Sequence, residues 1–144
     1  MNTGVATAKS ITVKLPIAVD ITEIQVDPSN TCGDPGSSAT HHYKVETSTN
    51  GSTFTLVNEG HFYAANRGHL NTVTPLAAGA TSNVGWIRFT MINPMVPETG
   101  NACTSAANCG DNGVPTRCGP TNPGGFGGCT FMDMSEIEVF GGPS

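Results

Sequence analysis

Short runs in which apolar and polar residues alternate one by one recur along this chain. No run of ten or more residues keeps the three-to-four-residue apolar spacing of an amphipathic helix. A period of two places the apolar side chains of a run on one face of an extended strand, so each segment buries one face and wets the other. Residues 10–15, Ser-Ile-Thr-Val-Lys-Leu, are the cleanest case: Ile11, Val13 and Leu15 share a face opposite Thr12 and Lys14. Pro16 is expected to close this strand. Residues 21–26 then form a second, with Ile24 and Val26 inward and Asp27-Pro28 as its stop. The two read as an antiparallel hairpin or meander.

Residues 29–40 are almost pure turn chemistry, after which Tyr43, Val45 and Thr47 alternate with His42, Lys44, Glu46 and Ser48 in a third strand. Asn50-Gly51 supplies the positive φ angles of a tight hairpin turn into a fourth strand, with Phe54 and Leu56 toward the core. From Glu59 to Ala80 the pattern loosens and leaves one short strand at residues 70–73. Residues 86–92 resume alternation, with Ile87, Phe89 and Met91 on one face and Trp86, Arg88 and Thr90 on the other. In the final strand, residues 131–140, parity changes between Met132/Met134 and Ile137/Val139, which calls for a bulge or bend near Ser135. The expected fold class is all-β, an antiparallel two-sheet sandwich. It forms one domain over residues 1–144, strand-rich at 10–92 and 130–141, with a loop insertion at 93–129.

Composition agrees with many short strands, since Gly and Pro supply 18 and 10 of the 144 residues. Charged residues make up only 12%, against roughly 25% in an average soluble domain, so uncharged hydroxyls and amides must cover the surface. Six scattered bases and a net charge of −5 leave no basic stripe for a phosphate backbone, which excludes nucleic acid as the expected partner. The five cysteines lie in Gly-, Pro- and Asn-rich stretches, where disulfides offset loop entropy and point to a secreted or cell-surface location. Residues 1–20 hold no apolar run of signal-peptide length, and no stretch is long enough to span a membrane. The chain is therefore expected to be an excised domain or mature chain of a larger exterior protein. Four cysteines follow a Cys-x5-Cys-x8-Cys-x10-Cys spacing that lacks the Cys-x2-Cys knuckle of a zinc site. Cys103 with Cys109 and Cys118 with Cys129 is one pairing, leaving Cys32 free; another ties Cys32 to the insertion.

Residues 43–54, Tyr-Lys-Val-Glu-Thr-Ser-Thr-Asn-Gly-Ser-Thr-Phe, resemble the strand, Asn-Gly turn and aromatic hairpin of the coagulation factor 5/8 type C (discoidin) family and the related family 32 carbohydrate-binding modules. Trp86-Ile87-Arg88-Phe89 and the later Asp133-Met134-Ser135-Glu136-Ile137-Glu138-Val139-Phe140-Gly141 are similar to that family's closing strands, and the match spans about residues 10 to 141. The resemblance implies a galactose-binding-like jelly roll that binds sugars, lipids or proteins through loops at one end, usually beside a secreted catalytic domain. It also implies structural calcium as a cofactor, with Glu136 as a ligand. Only residues 1–9 precede the first strand, where the family carries a longer calcium-holding segment.

Read by residue chemistry alone, His61, Phe62, Tyr63, Arg67, His69 and Asn71 form the most chemically loaded loop. A flat aromatic suits a sugar's apolar face, and imidazole, guanidinium and amide groups suit its hydroxyls. His41 and His42 read as strand-edge residues, and Trp86 as a ring packed between sheets. Asp27, Asn30 and Asp34, like Asp111 and Asn112, lack the spacing of a calcium loop and read as turn formers. Gly124-Gly125-Phe126-Gly127-Gly128 lacks the strand-before, helix-after context of a phosphate cradle. No nucleophile elbow, zinc-protease helix or dinucleotide fingerprint is present. The expected function is therefore a non-catalytic extracellular module that binds a glycan or other cell-surface ligand. The alternative is a structural or protein-interaction domain serving a larger secreted enzyme such as a peptidase, with a hydrolase as a third, weaker option.

Overall fold

The computed structural model describes residues 8–29, 38–95, 103–109 and 132–144, with Cys109 described by its backbone only. The pairings proposed for Cys32, Cys118 and Cys129, the turn roles of Asn30, Asp34, Asp111 and Asn112, and the glycine run at 124–128 lie outside these residues. The chain is all-β in character. Its strands are β1 (Lys9–Asp27), β2 (Thr40–Ser48), β3 (Thr55–His61), β4 (Asn71–Thr72), β5 (Val84–Pro94) and β6 (Glu136–Pro143), joined by a 3-10 turn at Ala64–Asn66 and a four-residue α1 at Ala106–Cys109. They form one curled antiparallel sheet ordered β3-β2-β5-β1-β4, with β6 on the other edge of β1.

The largest departure from expectation is β1. Residues 9–27 are a single bent strand, not two strands of a hairpin. Its first part pairs with β5 from Lys9↔Met91 to Lys14↔Trp86, and the register then breaks until Val19↔Val84. From Val19 to Asp27 it pairs with β6. Pro16 removes one ladder donor and fixes φ, yet that φ is compatible with extended backbone, so the pairing is interrupted while the strand continues. Beyond β5, the same edge of β1 is taken up by Thr81, whose carbonyl accepts from Ile21 N–H at 2.7 Å, and by β4 at Gln25↔Thr72.

β2 keeps Tyr43, Val45 and Thr47 inward, as its alternation requires. The connection to β3 is six residues long, 49–54, rather than a two-residue hairpin. Only Gly51 takes a positive φ there (76°), while Asn50 Oδ1 accepts from the N–H groups of Ser52 and Thr53 at 2.9 Å. A bulge then sets Val45 opposite Asn58 and Glu46 opposite Leu56. The extra residue, Val57, turns into the core, and Leu56, expected inside, stands 45% exposed. Phe54, also expected inside, lies against Arg88 instead, with Cζ 4.0 Å from its ring centroid. Trp86 does not pack between sheets. It sits on the outer face under Lys14 Nζ (5.6 Å), and a Cβ added to Gly51 would lie 2.9 Å from its ring.

The core is built from Ile24 and Val26 of β1, Val45, Val73, Val84 and Phe89, all fully buried. Each such side chain contributes about 1.5–3 kcal/mol by leaving water. The last strand is shorter than the expected 131–140: β6 begins at Glu136, so the parity change falls in the segment ahead of it, where Met132 is buried, while Ile137 and Val139 pack on the core. Among the described residues no helix is long and apolar enough to cross a membrane.

Candidate ligand-binding end of the sheet

One end of the sheet gathers the start of β2, the finish of β3 and the loop 62–71. Pairing of His42 with His61 across the β2–β3 ladder brings two imidazoles to the same face, with ring centroids 4.6 Å apart and nearly parallel. His42 Nε2 donates to Glu59 Oε1 at 2.6 Å, since a carboxylate only accepts. His41 is buried, its Nδ1–H held by Phe62 O at 2.6 Å, while Phe62 N–H returns to His41 O at 2.8 Å. The His41 ring bridges its neighbours, 4.8 Å from His61 and 5.4 Å from Tyr63. Behind it lies buried, disulfide-bonded Cys103, with Sγ 3.9 Å from Nδ1.

The loop is held by its own amides. Asn66 Oδ1 accepts from Tyr63 N–H at 2.8 Å and starts the 3-10 turn, and Ala64 N–H reaches Cys103 O at 2.8 Å. Asn71 Nδ2 is shared among the carbonyls of Asn66, His69 and Val26 at 2.7, 2.8 and 3.1 Å, and its Oδ1 accepts from Asn66 Nδ2 at 2.9 Å. Asp27 Oδ1 accepts from Gly68 N–H at 3.1 Å and Ser29 N–H at 3.0 Å, fastening the loop to the end of β1. A backbone pinned at so many points presents its outward side chains with little entropy left to lose on binding.

The six expected ligand-binding residues therefore divide. His61 is exposed at the end of β3 and Tyr63 is half-exposed, and both rings contact His41. Arg67 and His69 share the next turn, His69 Nδ1 lying 3.1 Å from Arg67 O. Arg67 is half-buried, and its Nε has no hydrogen-bond partner among the described residues. Phe62 is only 4% exposed and stacks on Tyr43 at 4.3 Å, so its ring belongs to the core. Asn71 has its amide committed to the loop. Glu136 opens β6 opposite Asp27, at the same end of the sheet. Among the described residues no three His, Cys, Asp or Glu side chains converge on a point where one metal ion could sit. Asp27 has one carboxylate oxygen engaged by two backbone amides.

The outer face of β2 and β5, where Arg88 joins Glu46 and Phe54 and where Trp86 lies under Lys14, is a second cluster that the sequence marks only weakly. The parity of residues 44–48 and 86–90 carried half of that signal. The bulge that turns Leu56 outward carried the rest and has no sequence mark. Compared with protein-family models, with curated proteins and with solved structures, the chain finds no match.

Proposed function

We propose that this chain is a non-catalytic, cell-exterior module of jelly-roll type that binds carbohydrate at the end of its sheet, through His61, Tyr63, Arg67 and His69 with His42 beside them. The observation that carries this reading is the ring cluster. An exposed imidazole, stacked on a second and joined through a third to a half-exposed tyrosine, offers flat surface beside hydrogen-bonding groups on a loop that is already ordered. Sugars present an apolar ring face edged by hydroxyls, and that pairing of surfaces matches such a site. Arg67 Nε adds a donor whose burial without a partner is costly, and a ligand oxygen would relieve that cost. Absence of the usual hydrolase and metalloenzyme motifs from the sequence favours binding over catalysis.

Glycan-array screening followed by calorimetry on the best ligand tests the reading. His61→Ala, Tyr63→Ala and Arg67→Ala are each expected to weaken binding about tenfold, the loss of roughly 1.4 kcal/mol. Tight glycan binding left intact by all three would exclude this end of the sheet, and no binding across the array would exclude the function.

A further inference from the structure

The two edges of β1 are unequally used. β5 takes one edge from Lys9 to Lys14, whereas β6 takes the opposite edge only from Val19 to Asp27, and its end is marked by Ser144 N–H on Ala18 O at 3.3 Å. Among the described residues no strand lies along the β6-side edge of residues 10–15. Alternate residues of an antiparallel strand direct both N–H and C=O to the same side, so this stretch offers a ladder ready to be continued in line with β6.

The same residues border a cavity of about 270 Å³ lined by apolar residues. Ile11, Val13 and Leu15 face it from β1, Ile137 and Val139 from β6, and Phe89 from β5. Ile11 and Val13 remain 45% and 44% exposed. What fits must supply backbone groups along the edge and an apolar side chain at every second residue, which is the description of an extended polypeptide. A small apolar molecule would fill the cavity and leave the ladder open. Charge narrows the choice further. Residues 9–19 carry Lys9 and Lys14 and no carboxylate, in a chain whose net charge is −5. Two copies pairing edge to edge would bring two Lys14 side chains onto one ribbon, whereas a partner with acidic residues opposite Lys14 would neutralise it.

We infer that residues 10–15 form an acceptor edge for an extended segment of a partner polypeptide, apolar at alternate positions and acidic on the face toward Lys14. The site is separate from the glycan-binding end and does not rest on it. The partner strand adds to β1 beside the bend, seats its apolar side chains over Ile11 and Val13, and leaves its carboxylates beside Lys14 and Trp86.

The test uses an alternating Glu-Val hexapeptide, a block-sequence peptide of the same composition, and the alternating peptide N-methylated at every second amide. Binding is followed by calorimetry and by amide shifts of residues 10–14. The alternating peptide is expected to bind and shift those amides, and the other two to bind at least tenfold more weakly. Lys14→Glu is expected to weaken the Glu-Val peptide at least fivefold and to favour its Lys-Val counterpart. The N-methylated arm uses the unaltered protein, so it stands even if a variant folds poorly. Equal binding of alternating and block peptides, no binding by any, slow exchange in the free protein of those amides of residues 10–15 that point away from β5, or dimerisation that competes with the peptide would each overturn the inference.

Discussion

Glu46 Oε2 accepts the Nε–H of Arg88 at 2.8 Å, from directly across the β2–β5 ladder, and the guanidinium is in turn stacked on Phe54. The hydrogen bond from Arg88 holds the Glu46 carboxyl below the usual carboxylate range. Burial opposes the shift, and the charges of Arg88 and Lys44 reinforce it. A carboxyl whose pKa is lowered by folding stabilises the native state above its unfolded pKa, and that stability is lost as pH falls through the folded value. Glu46→Gln is therefore expected to cost about 1 kcal/mol at neutral pH, held to that size because Arg88 is part-exposed. Urea midpoints at about pH 7 and about pH 3 should lie closer together in the variant than in the wild type.

Tyr43 behaves oppositely with pH. Burial pushes its phenol up to about 12, and its hydroxyl donates to Asn58 Oδ1 at 2.9 Å. Stability is expected to hold below the ordinary tyrosine range near 10 and to fall by about 2–3 kcal/mol as pH climbs toward 12. Tyr43→Phe should lose about 1 kcal/mol at neutral pH and flatten the alkaline slope. Chemical denaturation across that range, with tyrosinate absorbance as a second probe, distinguishes the two proteins.

Gly51 combines a φ of 76° with a close approach to Trp86. Gly51→Ala is expected to cost about 1–2 kcal/mol, part from backbone strain and part from displacement of the indole. Trp86 is the only tryptophan, so fluorescence reports that displacement directly. An unchanged emission spectrum with unchanged stability would contradict this packing.

A Cβ at Gly141 would overlap the carbonyl oxygen of Asp20 across the β1–β6 ladder, whereas one at Gly142 would meet nothing within 4 Å. Backbone cannot yield as a side chain can, so Gly141→Ala should cost more than about 2 kcal/mol. Gly142→Ala should be close to neutral, and thermal melts of the pair measure the contrast.

Period-two alternation made β2, β5 and the later part of the last strand legible in the sequence, because Tyr43, Val45, Ile87, Phe89 and Met91, like Ile137 and Val139, sit at alternate positions against the core. It failed where the physics is not local. Pro16 marks a lost donor, and whether the chain turns back or continues depends on which partner waits beyond it, here β6 from the far end of the chain. A bulge such as the one at Val57 leaves no trace in composition, so parity alone points Leu56 and Phe54 inward, whereas the structure turns Leu56 out and sets Phe54 against Arg88. At the candidate site the residue types of His61, Tyr63, Arg67 and His69 were readable. Phe62 and Asn71 were not separable from them, since only tertiary contacts show that one ring stacks on Tyr43 and one amide ties three carbonyls.

Because β1 serves β5 with its first part and β6 with its second, the sheet has no seam along which it could part into independently stable halves. Loosening the β6 ladder loosens the strand on which β5 is registered, so the closing segment and the central strands are expected to melt together. Amides near Ile24 and Val26 should then exchange only through whole-molecule opening, at a rate set by global stability rather than by local fraying.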